Sequence, residues 1–338
     1  MTRRFQKKTD WHQLRSITED SLNASGKFPS TVSIDGKLEW IDSGLYHDNY
    51  RFWIVAPKLP KEWQEKSLLL RIGIQKRLLR SKTQTAQYIV REAQTLQVLK
   101  EAEFAFETPE LICMVKSEAK QPVGLIEHWV WGMSLQFYKN SIHADRIIPT
   151  IAAVAAAVHH LPPSRFSHLT AFPDSRSHIL KELESLPPAL FREYQAALAA
   201  RKWILTRLPA NRPATVLHGD LLPQNIHCGE SGEEWKTAVI DWEFAEIGDP
   251  ACDLAIVTRG DRKLMGINNG LRHLVDCYRE SGGIELTVAD VHIHELLMLL
   301  KWLWDSDQGH RRGRTEGHGP DHYAQRVESL LHRAESES

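Results

Sequence analysis

A short segment in the second half of the chain combines an acid and an amide at a spacing that suits catalysis beside a metal ion. His218, Gly219 and Asp220 follow an apolar lead-in, and Asn225 comes five residues after Asp220. A positioned carboxylate accepts the proton of an attacking hydroxyl group. An amide oxygen is one of the hard ligands that Mg²⁺ prefers. The segment therefore predicts a proton acceptor and a magnesium ligand on one loop.

A second acid follows a strand-like run further along the chain. Residues 238–240 (Ala-Val-Ile) predict a buried strand, and Asp241 comes directly after it. The number of residues between Asp220 and Asp241 is enough for one β-hairpin, which would bring the two carboxylates together. Phosphoryl transfer needs a cover for the phosphates, a cation for their oxygens, a proton acceptor and ligands for magnesium. The last two needs would be met by Asp220, Asn225 and Asp241. We favour this interpretation over the alternative, in which each acid only forms a turn.

Composition excludes several classes of protein. The chain has 338 residues, which favours two lobes, and its net charge of −1 argues against a broad nucleic-acid surface. Its 4 cysteines lack the CxxC spacing of zinc or redox sites. The N-terminal residues lack the apolar core of a secretory signal, and no run reaches the length of a membrane span. We therefore expect a cytoplasmic protein that binds neither nucleic acid nor membranes.

The elements that must position these residues divide the chain into three parts. Residues 1–30 predict an arm or a short leading helix. Residues 31–130 alternate in the manner of a sheet of about five strands, interrupted by a helical period over residues 85–103. Residues 131–338 are mainly helical, apart from short strands near the two acids. We expect residues 31–130 to bind nucleotide and residues 131–338 to carry catalysis and acceptor binding.

The runs HGDLLPQN and VIDWEFAEIGDPACDLA resemble the aminoglycoside phosphotransferase and choline kinase superfamily, relatives of the protein kinases. The resemblance implies an α+β, protein-kinase-like two-lobe fold with a small antiparallel N-lobe sheet plus one helix, and a larger, mainly helical C-lobe. It implies ATP as the donor, with GTP possible, and Mg²⁺ as the metal. Asp220 becomes the catalytic base, and Asn225 and Asp241 the magnesium ligands. Structural roles fall to His218, Asp249 and Asp253.

The resemblance extends more loosely into the first half. Arg71 stands where the family's third strand carries a phosphate-facing Lys or Arg, with Glu92 as its partner; a surface salt bridge is the competing interpretation. Residues 43–49 would form the loop over the phosphates, or only a hairpin turn. Residues 127–131 would form the hinge, where backbone groups would meet the adenine ring. The remaining nucleotide-binding candidates are Ser43, Gly44, Asn49, Glu127, His128 and Trp129.

The acceptor is less clearly indicated. Trp302 and Asp305 could hold an ammonium or guanidinium group, although tryptophans near a helix end more often belong to the core. Glu243, directly after the metal acid, is a further candidate. We expect a small-molecule acceptor with a hydroxyl group, such as an antibiotic, an amino alcohol or a sugar-like metabolite. A non-catalytic kinase-like binding protein and a protein kinase are the alternatives, and the missing activation segment disfavours the latter.

Overall fold

The computed structural model describes residues 11–43, 47–73, 82–117, 122–141, 143–231, 234–260, 269–313 and 317–337. Gly44 lies outside the described residues. The chain divides into two compact units. The first contains the described parts of 11–103, 107–131 and 240–243, and the second those of 104–106, 132–239 and 244–337.

The strands are β1 Ser33–Ser43, β2 His47–Val55, β3 Leu68–Gly73, β4 Leu111–Lys116, β5 Pro122–His128, β6 Met133–Ser134, β7 Thr215–Leu217, β8 Ile226–Ser231, β9 Glu234–Val239 and β10 Glu246–Gly248. The α-helices are α1 Trp11–Ala24, α2 Lys61–Gln64, α3 Lys82–Glu101, α4 Ile147–His159, α5 Ser175–Ser185, α6 Pro188–Glu193, α7 Gln195–Thr206, α8 Ala251–Thr258, α9 Gly270–Glu280, α10 Val288–Arg311 and α11 Pro320–Ser336.

The first unit is an antiparallel sheet with strand order β1-β2-β3-β5-β4. Its core contains Leu22 of α1 and Phe52 of β2, both fully buried. The helix α3 packs Ile89 and Ala93 against Leu125 of β5. This burial follows from the helical spacing of the apolar residues in α3 and places the helix beside β3 and β5. The predicted sheet of about five strands with one inserted helix is confirmed.

The second unit is mainly helical, as predicted. Helices α5, α6, α7, α10 and α11 share one apolar core, in which Trp203, Leu296 and Val327 are buried. The strands β8 and β9 form an antiparallel hairpin directly after Asn225, and β7 pairs with β10. Among the described helices, none is both long and apolar enough to cross a membrane.

Candidate active site

The loop that carries Asp220 begins with a turn that requires glycine. β7 ends at Leu217, and Gly219 has a φ of 78°, in the left-handed region. A Cβ atom at Gly219 would lie 2.1 Å from the carbonyl oxygen of Phe244. Any other residue would therefore be strained and would also collide with backbone. The glycine allows the chain to turn sharply and present Asp220 immediately after the strand.

A buried carboxylate holds this turn in place. Asp253, in the first turn of α8, accepts hydrogen bonds from the backbone N–H groups of His218 and Gly219, at 2.8 and 2.9 Å. Its other close partner is the ring of His159, at 3.2 Å. Burial works to raise the pKa of Asp253, but the hydrogen bond and charge of His159 and the His218 N–H bring it below its ordinary value. Asp253 therefore stays ionised and anchors the loop.

Asn225 lies against Asp220 within the second unit. Its Nδ2 donates to the backbone oxygen of Asp220 at 2.8 Å and to Asp220 Oδ2 at 3.1 Å. These two bonds use the amide nitrogen and leave the amide oxygen out of the contact. The Asp220 side chain remains 25% exposed, whereas Asn225 is buried. The loop thus presents an accessible carboxylate next to an amide oxygen, both of them hard oxygen donors.

The other residues predicted to be structural lie in the buried interior of the second unit. The His218 ring is fully buried, and its Nδ1 accepts a hydrogen bond from the Asp220 N–H at 3.2 Å. Asp249 lies 3.3 Å from Arg212 Nε and 3.1 Å from the ring of His294. Burial opposes ionisation of Asp249, but His294 and Arg212 lower its pKa overall. His294 is therefore a partner of a buried acid.

Arg71, Glu92 and Asp241 meet in the first unit. Arg71 on β3 donates through Nη2 to Asp241 Oδ1 at 2.6 Å, and through Nη1 to Glu92 of α3. Glu92 also accepts a hydrogen bond from the Trp242 N–H at 3.2 Å. Asp241 adopts a φ of 69° and keeps its side chain 26% exposed. Arg71 and Glu92 therefore orient the Asp241 segment from two sides.

This group contains more acid than base. Besides Glu92 and Asp241, Glu127 and Glu243 act electrostatically on Arg71. Desolvation raises the pKa of Glu92 to about 8, although Arg71 lowers it, and desolvation raises that of Glu127 to about 7. The pKa of Arg71 lies well above its ordinary value in spite of burial, because these acids stabilise its charge. Glu92 and Glu127 therefore hold their protons more strongly than ordinary carboxyl groups, and the partly exposed Asp241 is the acid of the group that could serve as a ligand for a divalent cation.

The predicted nucleotide-binding residues are placed as follows. Asn49 pairs with Arg71 in the β2–β3 register, and Ser43 ends β1 opposite Asp48. The N–H of His128 donates to the Glu110 carbonyl and that of Trp129 to the Ser67 carbonyl, both at 3.0 Å. These two donors are thus already used inside the first unit. A base would have to bind other groups of the segment.

The predicted acceptor residues have different environments. Glu243 is buried in the first unit, whereas Asp305 is exposed on α10. The ring centroid of Trp302 lies 6.0 Å from the guanidinium carbon of Arg259 and 5.6 Å from that of Arg326. The tryptophan face therefore already borders two positive charges of the protein.

One residue near the predicted catalytic aspartate was not among the candidates from the sequence, and another candidate lies in a different environment from the expected one. Arg259 Nη2 lies 3.8 Å from Asp220 Oδ1, a contact that no local pattern around Arg259 indicates. Glu127 was expected to contribute at a nucleotide-binding hinge, but its side chain belongs to the charged group around Arg71. The sequence pattern could have indicated this environment, because an acid within the apolar strand run VGLIEH requires a buried partner.

The fold is similar to that of kinase-like phosphotransferases. The chain belongs to the phosphotransferase enzyme family, whose family model matches residues 39–270. The predicted resemblance to aminoglycoside phosphotransferases and choline kinases is confirmed at the level of the family.

Known proteins with similar sequence or structure agree with this fold. The chain is 25% identical over 205 residues to uncharacterized protein YcbJ of Bacillus subtilis (strain 168), covering 56% of this chain and 60% of that protein's length. A putative aminoglycoside phosphotransferase from Ralstonia eutropha JMP134 has a TM-score of 0.64 at 14% identity, covering 97% of this chain and 99% of that one. The GDP complex of an aminoglycoside 2'-phosphotransferase-IIIa has a TM-score of 0.63 at 16% identity, with 97% and 99% covered. Choline kinase from Streptococcus pneumoniae has a TM-score of 0.56 at 16% identity, with 95% and 99% covered.

Proposed function

We propose that this protein transfers the γ-phosphoryl group of ATP to a hydroxyl group of a small molecule. The observation that carries the proposal is the Asp220 loop: an accessible carboxylate bonded to Asn225, on a turn that Asp253 fixes through two backbone N–H groups. Preorganised groups of this kind stabilise a transition state without moving during the reaction. A binding protein without turnover has no need of that rigidity.

In the proposed reaction, Asp220 accepts the proton of the acceptor hydroxyl. The acceptor oxygen bonds to the γ-phosphorus while the bond from that phosphorus to the β,γ-bridging oxygen breaks, releasing ADP. Arg71, which is permanently charged, binds phosphate oxygens with its fork of N–H donors. Its contact with Asp241 puts an anion-binding group beside a metal-binding group, which is the pairing that a magnesium–triphosphate requires.

Asn225 and Asp241 would hold Mg²⁺ in this proposal. Both offer hard oxygen atoms, which Mg²⁺ prefers as ligands, and the Asp241 side chain is partly exposed. When bound, the ion would neutralise charge on the triphosphate oxygens. GTP is the second candidate donor because two similar aminoglycoside phosphotransferase structures are GDP complexes. The name of one neighbour mentions kanamycin and that of another choline kinase, which supports a small acceptor over a protein.

The test is consumption of ATP with Mg²⁺ across a panel of antibiotics, amino alcohols, sugars and hydroxy acids. We expect Asp220→Ala to lower transfer by about 10²-fold or more, the usual contribution of a general base. Asp276→Ala is the matched control and should retain wild-type activity, because Asp276 is a partly exposed acid on α9 that pairs with Arg279. Transfer that survives Asp220→Ala unchanged would exclude Asp220 as the base. Phosphate found on protein substrates alone would support a protein kinase instead.

A further inference from the structure

Arg259 brings a positive charge to the proposed catalytic aspartate. It follows Thr258, the last residue of α8, and its Nη2 lies 3.8 Å from Asp220 Oδ1. The Arg259 side chain is 45% exposed. A guanidinium group has five N–H donors in a planar fork. Only one of its nitrogen atoms forms this long contact with Asp220, so the fork is not saturated by it.

The backbone of Arg259 is strained. Its φ is 48° and its ψ is 32°, a left-handed conformation at a position after a helix where glycine is favoured. Side chains with a Cβ adopt it at a cost. An exposed ion pair contributes little to stability, so the contact with Asp220 does not offset that cost. Strain of this kind at an arginine points to a role for the side chain beyond stability.

Three side chains fix the strained turn. Arg326 Nη2 donates to the Arg259 carbonyl oxygen at 2.5 Å, and Arg333 Nη2 donates to the Gly260 carbonyl oxygen at 3.3 Å. The fully buried Glu295 accepts from the Gly260 N–H at 3.2 Å. α10 and α11 thereby fix the backbone turn from which the Arg259 side chain extends to Asp220. A fixed turn leaves fewer degrees of freedom to be lost when the side chain binds a ligand.

The surroundings of Arg259 are unfavourable for a cationic acceptor. The Trp302 ring, which could otherwise bind an ammonium group, borders Arg259 and Arg326. A positively charged ligand on that ring would be repelled by both guanidinium groups. A carboxylate or phosphate would be attracted, and it fits the planar fork of an arginine in a bidentate way.

We infer that Arg259 binds an anionic group of the acceptor, a carboxylate or a phosphate, while Asp220 receives the proton of the acceptor's hydroxyl group. This inference rests on the proposed function and specifies its substrate class. Arg259 would then determine specificity, and the acceptor of this chain would differ in charge from hydroxyl acceptors that carry ammonium groups.

The test compares matched probes in two independent measurements. Glycerate and glycerol phosphate are the anionic probes, glycerol is the neutral probe, and choline and kanamycin are the cationic probes. Saturation-transfer NMR measures binding without nucleotide, and ³¹P NMR measures transfer from Mg²⁺–ATP. The variants are Arg259→Gln, Arg259→Lys and the matched control Arg272→Gln, an exposed arginine on α9.

We expect the wild type to bind both anionic probes at least tenfold more tightly than glycerol. Arg259→Gln should lower that ratio at least tenfold. Arg259→Lys should lower it less, because lysine keeps the charge and loses the planar fork, and Arg272→Gln should retain it. If only glycerate or only glycerol phosphate shows the preference, the anionic group is identified as carboxylate or phosphate. Equal binding of all probes by the wild type, or a ratio that Arg259→Gln leaves in place, overturns the inference. In the latter case Arg259 only orients Asp220, and Arg259→Gln would slow transfer to every acceptor alike. Absence of transfer to any probe together with the expected binding ratio would count against the proposed function alone.

Discussion

Because Glu127 is a buried acid, we expect it to lower the stability of the folded protein as the pH rises. Burial raises the pKa of Glu127 to about 7 from an ordinary value of 4.5, and its Oε2 atom is buried without a hydrogen-bond partner among the described residues. Below pH 4.5 the carboxyl group is protonated in both folded and unfolded chains. As the pH rises toward 7, the unfolded chain releases the proton first, so the folded state is progressively destabilised.

The substitution Glu127→Gln removes this titration and keeps the shape of the protonated acid. The difference of about 2.5 pKa units corresponds to about 3 kcal/mol. We therefore expect the variant and the wild type to have similar free energies of unfolding near pH 4.5. The variant should gain about 1.4 kcal/mol per pH unit over the wild type up to pH 7 and remain more stable above it. The neighbouring acid Glu92, whose pKa burial raises to about 8, is present in both proteins. Its pKa should fall in the variant, because the charge of Glu127 is one of the causes that raise it, and this adds to the gain in stability at high pH.

Native-state hydrogen exchange of the sheet amides at pH 5, 6, 7 and 8 measures this difference in unfolding free energy for the first unit by itself.

Glu110→Gln is the control variant, for which the change in stability with pH should have the opposite sign. Burial works to raise the pKa of Glu110, but Lys100 and His128 bring it below its ordinary value. Glu110→Gln should therefore destabilise the sheet at pH 7, and the effect should fade as the pH falls. A Glu127→Gln difference that is constant with pH, or a variant less stable than the wild type at pH 8, would refute the reasoning, because it would mean that Arg71 keeps Glu127 ionised when folded.

Two further predictions concern the Asp220 loop. Gly219→Ala should lower the free energy of unfolding by roughly 2 kcal/mol or more, because left-handed backbone strain adds to the collision with Phe244. Thermal unfolding should show a larger loss of stability for Gly219→Ala than for Gly282→Ala, because Gly282 has a φ of +82° but its Cβ would meet nothing within 4 Å. Equal losses of stability in the two variants would contradict the collision. Asp253→Asn should cost about 3 kcal/mol, because one acceptor of a buried, hydrogen-bonded carboxylate becomes a donor. Because the pKa of Asp253 is lowered, the difference in unfolding free energy between wild type and Asp253→Asn should shrink as the pH falls through that pKa. If acid denaturation shows a difference that does not change with pH, Asp253 is not ionised in the folded protein.

Much of the architecture could be predicted from the sequence because periodicity reports burial directly. The apolar spacing of Ile89 and Ala93 predicts α3, and the alternating runs predict the sheet. The spacing from Asp220 to Asn225 predicts a loop on which the two side chains meet, and they are in contact. The convergence of Asp220 with Asp241 stays a prediction.

What the sequence could not supply were the contacts between residues far apart in the chain. Arg259 reaches Asp220 across 39 positions through a left-handed turn, and turns at helix ends are usually marked by glycine and not by arginine. The predicted hinge concerned the backbone of residues 127–131. It could not anticipate that the N–H groups of His128 and Trp129 pair with carbonyl groups of the first unit, because such pairing depends on the arrival of neighbouring segments.

The left-handed backbone of Asp241 restricts which substitutions can report on its chemistry. Asparagine tolerates a φ of 69° nearly as well as aspartate, whereas alanine and glutamate do not. Asp241→Asn would therefore remove the negative charge with the chain path intact, while Asp241→Ala would combine loss of the charge with a local change of shape. Evolution faces the same restriction: at this position few residue types can replace aspartate without also displacing Trp242, whose N–H binds Glu92.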